Sequence, residues 1–385
     1  MGKMSQRKLT IAAVGDISFA GTNVDKPTVD VFNSVQSIFA EADIIIANLE
    51  GPLYDGYRAV PGKCTIRANS GWADILKTVG IDTVTLANNH LMDHGKYGFF
   101  STISALKKVG IEYVGAGADI EEARKPIFKE INGYRVAILA RTSVIVNSPS
   151  YADRDNPGVA FLDIEELVNN VKACRNQADV VVVLMHWGIE EYSYPTPDQR
   201  KQAKGLIKAG VDIVFGHHPH VVQGYERFGC GIAAYSLGNF VFDEFEWMVK
   251  SNDGTTRKIG VHLTPENRKG IILTVNMANN QIEVKPVFTK IENNGRVSVD
   301  TDSRREKDFE QLCSRLRKKF DAYYAWWWKF YAFNLEWKLR FSQRITPKNV
   351  TNKISQLRPR HARQLVRMIR NSLRISFGRS TNPYE

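Results

Sequence analysis

The chain has 385 residues, of which 43% are hydrophobic and 24% charged, and its formal net charge is +11. That length allows one large globular domain or two modest ones. Its four cysteines (Cys64, Cys174, Cys230 and Cys313) are far apart with no Cys-x-x-Cys pair, which excludes thiolate zinc fingers and argues against a disulfide framework. The sequence shows neither a signal peptide nor an 18-residue apolar span, so we expect a cytoplasmic protein.

The positive charge is concentrated at the C-terminal end. Residues 311–385 contain 17 lysines and arginines against three acids, a net charge of +14, and the first 310 residues therefore sum to −3. The positive net charge therefore belongs to the C-terminal residues and not to the main part of the chain. Together with the strand pattern described next, this asymmetry predicts a domain over residues 8–292 and a C-terminal extension over residues 300–385.

Short apolar runs alternate with helix-like segments from Leu9 to about Ile291. Strands are predicted at 9–14, 42–49, 82–87, 112–117, 134–140, 178–186, 211–216, 231–238, 270–277 and 281–289. The segments "GWADILKTVG" and "TPDQRKQAKGLIKAG" predict helices, the second beginning at Pro197–Asp198 and ending at Gly210. The order predicts an α/β sandwich with much parallel sheet, joined late by hairpin-like strands.

Polar side chains follow these predicted strands, and in open α/β sheets the carboxyl ends of strands collect the chemistry. The candidates, in chain order, are Asp16; Asn48 and Glu50; Asn88, Asn89, His90, Asp93 and His94; His186 and Glu191; and His217, His218 and His220. Six of the eight histidines fall in these loops. Imidazole and carboxylate without thiolate are the ligands of a divalent ion such as Mn, Fe or Zn, and we expect one or two ions.

Such a centre would support hydrolysis. Two metal ions about 3.5–4 Å apart, bridged by a carboxylate, generate a hydroxide and polarise a phosphoryl or carbonyl oxygen. A histidine such as His90 could then protonate the leaving group near neutral pH. The competing interpretation of the "HHPH" stretch at His217–His220 is a polar loop without chemistry, which the other strand-end residues make the weaker one.

Taken together, the motifs "GD", "NLEGPL", "NNHLMDHG", "HWGIEEY", "GHHPHVVQ" and "YSLGNFVFD" resemble the CapA family, the poly-γ-glutamate capsule biosynthesis proteins. That family is itself similar to calcineurin-like metallophosphoesterases. The resemblance runs from about Leu9 to Ile291 and is specific because six weak motifs occur in the family's order. It implies a metallophosphoesterase-like α/β sandwich, followed here by a basic helical extension, and a role in making, exporting or anchoring a bacterial surface polymer.

The resemblance also implies roles for single residues. Metal ligands are expected at Asp16, Glu50 (as the bridging carboxylate), Asn89, His186, His218 and His220, and a catalytic acid at His90. His217 could take the place of His218 in that register. The sequence departs from the metallophosphoesterase Asp-x-His motif, because Ser18 stands at the histidine position. Without that histidine one of the two metal ions lacks a ligand, so a centre with a single metal ion is the alternative.

A further group is predicted to lie near substrate or to support the ligands: Asn48, Arg67, Asn88, Asp93, Glu191, His217 and Asn239. Arg67 suits a substrate carboxylate or phosphate, with a solvated arginine as the alternative. Asn239 either holds a ligand histidine or caps a strand. Glu191 either lines a substrate pocket or packs, and His94 is expected at the surface.

Beyond residue 300 the composition changes. The stretch "FDAYYAWWWKFYAFNLEWKLRF" mixes aromatic residues with bases, and Arg363, Arg367, Arg370 and Arg374 follow at helical spacing opposite an apolar face. This pattern predicts an element that lies on a membrane surface. The alternatives are an arm that binds a polyanion or a partner, and a helix that packs on the main domain. Nucleic acid is disfavoured, since no nucleic-acid-binding motif accompanies the charge.

The interpretation favoured by these observations is a metal-dependent hydrolase or transferase that acts on a phosphoester or amide bond. Its partner would be an anionic polymer or a phosphorylated or amide substrate. The alternative is a non-catalytic assembly factor that binds polymer or metal and docks at the inner face of the membrane. The sequence leaves the polymer, the metal and the oligomeric state open.

Overall fold

The computed structural model describes residues 7–21, 26–61, 63–144, 150–250, 256–278, 281–317 and 321–341. The strands are β1 (Lys8–Ile17), β2 (Ile44–Leu49), β3 (Thr83–Thr85), β4 (Glu112–Val114), β5 (Ala116–Gly117), β6 (Ile127–Ile131), β7 (Tyr134–Thr142), β8 (Gly158–Val159), β9 (Val180–His186), β10 (Ile213–His217), β11 (Tyr225–Phe228), β12 (Gly231–Ala234), β13 (Asn239–Val241), β14 (Phe245–Lys250), β15 (Thr256–Val261), β16 (Lys269–Ala278), β17 (Gln281–Ile291) and β18 (Val297–Val299). The helices are α1 (Gln36–Phe39), α2 (Trp72–Thr78), α3 (Gly95–Val109), α4 (Ile120–Arg124), α5 (Ile164–Arg175), α6 (Pro197–Ala209), α7 (Arg304–Leu316) and α8 (Asp321–Phe341), with a short 3-10 helix at Val29–Phe32. The chain divides into two units, residues 1–328 and residues 329–385.

Two large sheets form the centre of the first unit, and two-stranded sheets of β5 with β8 and of β14 with β15 accompany them. In the first sheet the strand order is β18-β17-β16-β1-β2-β3-β4, with β13 also paired to β1, and the strands β1 to β4 run parallel. In the second the order is β11-β12-β10-β9-β7-β6, where the four central strands run parallel. The late pair β16–β17 is antiparallel. This is the predicted arrangement of parallel sheet joined late by hairpin-like strands.

The two sheets pack face to face. Alternate residues of β1, Leu9, Ile11 and Ala13, point into a core that also holds Val182 of β9 and Phe215 of β10. Because side chains alternate along a strand, the other residues of each sheet face outward. The outer face of the first sheet packs against α1, α2 and α3, and that of the second against α5 and α6. The layers are therefore helix, sheet, sheet and helix, which confirms the predicted α/β sandwich.

Helix α6 begins and ends as its sequence predicts. Thr196 and Gln199 form a capping box, in which each side chain accepts a hydrogen bond from the other residue's backbone N–H, and Pro197 opens the first turn. Gly210 follows the last turn with a φ of 120°, which a glycine adopts at little cost. The predicted helix at "GWADILKTVG" is α2.

Some predicted strands have different bounds in the structure. The run 112–117 was expected as one strand, but Gly115 has a φ of 86° and divides it into β4 and β5, which belong to different sheets. The run 231–238 pairs as a strand only as far as Ala234 in β12. The strand β6 and the hairpin of β14 and β15 were not predicted, because their mixed polar and apolar sequences carry little apolar periodicity.

The C-terminal helical region is confirmed, and α7 belongs to the first unit. Phe309 and Cys313 of α7 are buried in the core between the sheets, and Leu316 joins the core outside the second sheet. The predicted boundary between residues 292 and 300 stays a prediction. The predicted basic helix with Arg363, Arg367, Arg370 and Arg374 lies outside the described residues.

Candidate metal centre

The carboxyl ends of β1 and β2 and of β9 and β10 meet at one edge of the sandwich. Asp16 of β1 lies beside Asn48 of β2 in the first sheet, and His186 of β9 lies beside His217 of β10 in the second. All four side chains are buried. The two sheets thus bring residues that are far apart in sequence to one place.

A close approach of two backbone segments fixes Asp16. Its N–H donates a 2.9 Å hydrogen bond to the carbonyl of Gly238. At the preceding residue, Gly15, a Cβ atom would lie only 1.9 Å from the same carbonyl oxygen. Because any side chain would clash there, glycine at position 15 is needed to seat Asp16 at this edge.

Two carboxylates and one imidazole form the centre of the cluster. Nδ1 of His220 lies 3.2 Å from Oδ2 of Asp16, and its Nε2 lies 3.6 Å from Oε1 of Glu50. One donor atom from each of these three residues lies within 4.8 Å of the others. Both carboxylates are buried, and such a set of oxygen and nitrogen donors is the kind that holds a divalent metal ion.

The amides and His186 form a hydrogen-bonded row next to this cluster. Nδ2 of Asn48 contacts Oδ1 of Asp16 at 2.8 Å and Nδ1 of His186 at 3.3 Å. Nε2 of His186 lies 2.8 Å from Oδ1 of Asn89. Asn88 donates to Oδ1 of Asn48 and to the backbone carbonyl of Leu49. Asn48 and Asn88 therefore position the predicted ligands, while His186 and Asn89 face each other.

The "HHPH" turn presents two of its three histidines to the cluster. Nε2 of His217 lies 3.2 Å from the carbonyl oxygen of Val14, so this side chain is held by β1. The rings of His218 and His186 lie 4.8 Å apart, and the backbone N–H of His218 donates to Oδ2 of Asp16. His218 and His220 adopt φ angles of 95° and 56°, a left-handed conformation that non-glycine residues rarely adopt. Such backbone strain is typical of functional sites.

His90 lies at the edge of the cluster with a carboxylate behind it. Its Nδ1 is 2.7 Å from Oδ2 of Asp93, and its Nε2 is 3.9 Å from Oε1 of Glu50. Asp93 is itself fixed by the N–H of Ile66 at 2.7 Å and by the ammonium of Lys63 at 2.5 Å. The predicted acid is thus oriented toward the carboxylates by Asp93.

Burial and charge shift the pKa values of these groups in opposite directions. Burial raises the pKa of Glu50 to about 7 and lowers that of His218 to about 4. Burial also acts to lower the pKa of His220, but the charges of Glu50 and Asp16 outweigh it and raise the pKa to about 10. The pocket therefore favours a positive charge between Asp16 and Glu50.

Buried atoms without hydrogen bonds show that the residues fit a metal ion. Among the described residues, neither carboxylate oxygen of Glu50 has a hydrogen-bond partner, and neither has Nδ1 of His218. Leaving a buried carboxylate unsatisfied is costly, so native structures rarely do so without an ion or water. A divalent cation would satisfy these atoms, and the absence of thiolate donors fits Mn, Fe or Zn.

Two of the supporting residues are placed by clear contacts. Oδ1 of Asn239 lies 2.9 Å from Nδ1 of His220, and its Nδ2 donates to the carbonyl of Asn267. Asn239 therefore holds a candidate ligand and does not serve as a strand cap. His94 is buried rather than at the surface: the backbone N–H of Arg58 donates to its Nδ1 at 2.9 Å, and its ring contacts Tyr54.

A residue that sequence reasoning missed is Glu190. Its carboxylate, together with His218 and His220, forms a second group whose donor atoms lie within 4.8 Å of one another. Burial acts to raise the pKa of Glu190, but the neighbouring His218, His220 and His90 outweigh it and lower the pKa. The sequence predicted the adjacent Glu191, since nothing in the pair "EE" tells which side chain faces the turn.

A cleft of about 580 Å³ borders the loop whose Ile66 N–H donates to Asp93. Its walls come from the loop that follows β1, from the loop that supports Asp93, and from the hairpin of β14 and β15; the residues are Ala20, Gly21, Thr65, Ile66, Arg67, Glu244, Phe245, Glu246, Lys258 and His262. One guanidinium nitrogen of Arg67 donates to the carbonyl of Tyr54 at 3.3 Å. The cleft thus carries both basic and acidic side chains.

The fold and the cluster define an α/β sandwich protein with a candidate divalent-metal centre at the carboxyl ends of its strands. The sequence profile described as "Bacterial capsule synthesis protein PGA_cap" matches residues 10–244. The capsule biosynthesis protein CapA of Bacillus anthracis is 32% identical over 300 residues, which are 74% of this chain and 71% of that protein. The chain belongs to this bacterial capsule synthesis protein family.

Two other proteins show more distant or partial similarity. The PGA biosynthesis protein CapA of Bacillus subtilis (strain 168) is 34% identical over 245 residues, 61% of this chain and 64% of that protein. The solved NAD nucleotidase NadN of Haemophilus influenzae aligns with a TM-score of 0.43 at 13% identity, over 79% of this chain and 55% of that one. The family assignment comes from the sequence matches.

Proposed function

We propose that this protein is a metal-dependent hydrolase or transferase that acts on a phosphoester or amide bond during synthesis of a bacterial surface polymer. The observation that carries this proposal is the buried cluster of Asp16, Glu50 and His220, in which the carboxylate of Glu50 makes no hydrogen bond to the described residues. Relatives named for capsule and PGA biosynthesis support the biological role.

The proposed metal ligands are Asp16, Glu50, Asn89, His186, His218 and His220. The carboxylates of Asp16 and Glu50 and the imidazole of His220 already lie together. His186 and Asn89 are hydrogen-bonded to each other, and they would have to break that hydrogen bond to bind the metal. A bound Mn, Fe or Zn ion would activate water and polarise the bond that is attacked. Mn, Fe and Zn are all compatible with this donor set, and the number of ions, one or two, stays open.

His90 is proposed to donate the proton to the leaving group. With Nδ1 held by Asp93, the nitrogen presented to the cluster is Nε2, which lies 3.9 Å from Glu50. Its side chain is 17% exposed, so it can reach a substrate bound at the mouth of the site. A positioned general acid of this kind contributes about 10²–10⁴-fold to a rate.

The proposed substrate is an anionic polymer or a phosphorylated or amide compound, received by the cleft that borders the loop of Ile66. Arg67, Lys258 and His262 line that cleft and could contact carboxylate or phosphate groups. Lys258 forms an ion pair with Glu246, and His262 lies 3.2 Å from a carboxylate oxygen of Glu244. An anionic substrate would compete with these surface pairs, which are individually weak.

The variant His90→Ala tests the catalytic proposal. We expect it to keep its bound metal and to lose polymer formation when it replaces the wild-type chain in a polymer-producing bacterium. His262→Ala is a control for metal content only, because its imidazole lines the proposed substrate cleft and its loss should leave metal content unchanged. Polymer formation that is unaffected by His90→Ala contradicts the catalytic role.

The second candidate function is a non-catalytic assembly factor that uses the same site to bind metal or polymer. The observation in its favour is Ser18, which stands where the metallophosphoesterase pattern has a histidine ligand. Its backbone N–H donates to the carbonyl of Val241, and its hydroxyl oxygen lies 3.5 Å from the backbone nitrogen of Ala20. Metal binding together with an unaffected His90→Ala phenotype would support this function.

Docking on the inner face of the membrane through the C-terminal segment is also a proposal. Exposed aromatic side chains support it: Tyr323 and Trp326 in the first unit, and Phe330 and Phe333 in the second. Aromatic side chains favour the water–lipid boundary, and the net charge of +14 over residues 311–385 suits anionic lipids. Among the helices that the structure describes, none is both long and apolar enough to cross a bilayer. Flotation of the chain with phosphatidylglycerol vesicles, compared with phosphatidylcholine vesicles, tests this docking.

A further inference from the structure

Glu190 stands out among the residues around the cluster because neither the motifs nor the resemblance assigns it a role. It lies four residues after His186, at the end of β9. One oxygen of its carboxylate lies within 4.8 Å of ring nitrogens of both His218 and His220. A carboxylate and two imidazoles at such separations match the donors of a metal site in which three side chains provide the ligands.

The backbone holds the Glu190 loop against the histidine turn. Trp187 donates its N–H to the carbonyl of His217 at 3.1 Å, and Glu191 donates to the carbonyl of Pro219 at 2.8 Å. Glu191 has a φ of 63°, so the chain bends sharply just after Glu190. These bonds flank Glu190 on both sides and place it opposite His218 and His220.

The loop that carries Glu190 also packs against helix α6. Gly188 has a φ of 92°, and a Cβ atom at that position would lie 2.8 Å from the amide nitrogen of Gln199. Gln199 is itself held in the capping box of α6. The backbone around Glu190 is therefore held by packed, hydrogen-bonded neighbours, while the side chain of Glu190 itself is exposed on the side of His218 and His220.

Compared with the Asp-x-His pattern, the sequence at position 18 lacks one metal ligand. Ser18 replaces the histidine of the Asp-x-His pattern, and a neutral serine hydroxyl is a much weaker ligand than an imidazole for Mn, Fe or Zn. Glu190 reaches the same histidine, His220, that joins Asp16 and Glu50. A carboxylate from the β9 loop could thus restore the number of protein ligands.

We propose that Glu190 is a metal ligand, which completes the donor set with His218 and His220 in place of the histidine absent at position 18. This inference rests on the proposed metal centre and adds a residue to it. It also explains why two neighbouring acids, Glu190 and Glu191, are not equivalent: only the first has its carboxylate beside the two histidines.

The test compares Glu190→Gln with the matched control Glu191→Gln in the full chain. Both substitutions keep the shape of the side chain and remove one negative charge. Each protein is freed of metal with a chelator, and Mn²⁺ is then titrated by calorimetry. We expect Glu190→Gln to lose one equivalent of Mn²⁺ or to bind it at least about tenfold more weakly, while Glu191→Gln binds like the wild type.

A second variant separates ligand loss from a general effect on folding. Glu190→Asp keeps a carboxylate and should recover part of the affinity that Glu190→Gln loses, and the melting temperatures of the metal-free proteins should agree. Equal Mn²⁺ affinity and stoichiometry in Glu190→Gln and the wild type would overturn the inference and leave the proposed function intact. A wild-type chain that takes up none of Mn²⁺, Fe²⁺ and Zn²⁺ in the same titration would overturn both.

Discussion

Oδ2 of Asp93 lies 2.7 Å from Nδ1 of His90, and this contact decides which face of the imidazole meets the cluster. With Nδ1 engaged, Nε2 points toward Glu50. Asp93 is fully buried and is held by Lys63 and by the backbone of Ile66, so it can hardly move. The imidazole of His90 is thus pre-oriented for its proposed role as the acid.

The variant Asp93→Asn should therefore lower the rate without removing the metal. The amide keeps the shape of the carboxylate, but it no longer stabilises a protonated imidazole at His90. We expect a fall of about tenfold or more in kcat for phenyl phosphate, whose phenolate leaving group needs a proton. This fall should be smaller than the loss in His90→Ala. Metal analysis of the same sample is the control, and loss of metal in Asp93→Asn would contradict the positioning role.

Gly15→Ala should destabilise the first unit strongly. Its new Cβ would lie 1.9 Å from the carbonyl oxygen of Gly238, so the strand that carries Asp16 must shift. We expect a loss of about 3 kcal/mol or more in the free energy of unfolding. Gly205→Ala is the matched control: its Cβ would meet nothing within 4 Å in the middle of α6, and it should gain about 0.5–1 kcal/mol. Urea denaturation of both variants measures these changes. A Gly15→Ala variant as stable as the wild type would contradict the close contact between Gly15 and the carbonyl of Gly238.

The buried pair of Arg200 and Glu226 should contribute strongly to stability. Two guanidinium nitrogens of Arg200 donate to the two oxygens of Glu226 at 2.7 and 2.6 Å, and Tyr235 donates to the same carboxylate. Glu226→Gln removes the buried counter-charge of Arg200 and leaves it, among the described residues, only the exposed Asp321 at 3.9 Å, which should cost about 3–5 kcal/mol. The exposed pair of Arg317 and Glu310 provides the control, because Glu310→Gln should change stability by less than about 1 kcal/mol. Equal effects of the two variants would contradict this difference.

The four cysteines should differ in reactivity. Burial raises the pKa of Cys64 to about 12 and that of Cys313 to about 11, and it also raises the pKa of Cys174. Since the thiolate is the reactive form, a higher pKa leaves less of it at pH 8. Cys230 is exposed, so we expect a disulfide reagent such as DTNB to label one thiol quickly in the native chain and all four in urea.

The variant Cys230→Ser should abolish that fast reaction. Labelling of Cys64 should rise only as the pH approaches its pKa of about 12. A second thiol that reacts quickly at pH 8 in Cys230→Ser would contradict the raised pKa values of the half-buried Cys64 and the buried Cys174 and Cys313.

The sequence predicted the fold where apolar patterns are long. The uninterrupted apolar runs that became β2 and β9 are buried along their whole length, as strands covered on both faces require. By contrast, β6 reads "IFKEI" and is half-exposed at the edge of its sheet, so no clean period marks it. The break at Gly115 depends on pairing with β8, which lies more than 40 residues away.

For the site, the motifs identified the residue types but not all of the contacts. The choice of His218 over His217 follows from a turn with positive φ angles, which periodicity does not reveal. Glu190 was missed because its neighbours, His218 and His220, are brought to it by backbone bonds between two loops. The resemblance to the family indicated Asp16 and Glu50 as ligands. Only the structure shows that the imidazole of His220 lies between their two carboxylates.

The most direct test of the account is the metal content of the purified full chain, measured beside the double variant His218→Ala/His220→Ala. The account predicts Mn, Fe or Zn at one or two equivalents in the wild type and its loss in the variant, with both proteins folded. A wild-type chain that contains no metal, and takes up none of these ions on reconstitution, would contradict the metal-dependent mechanism.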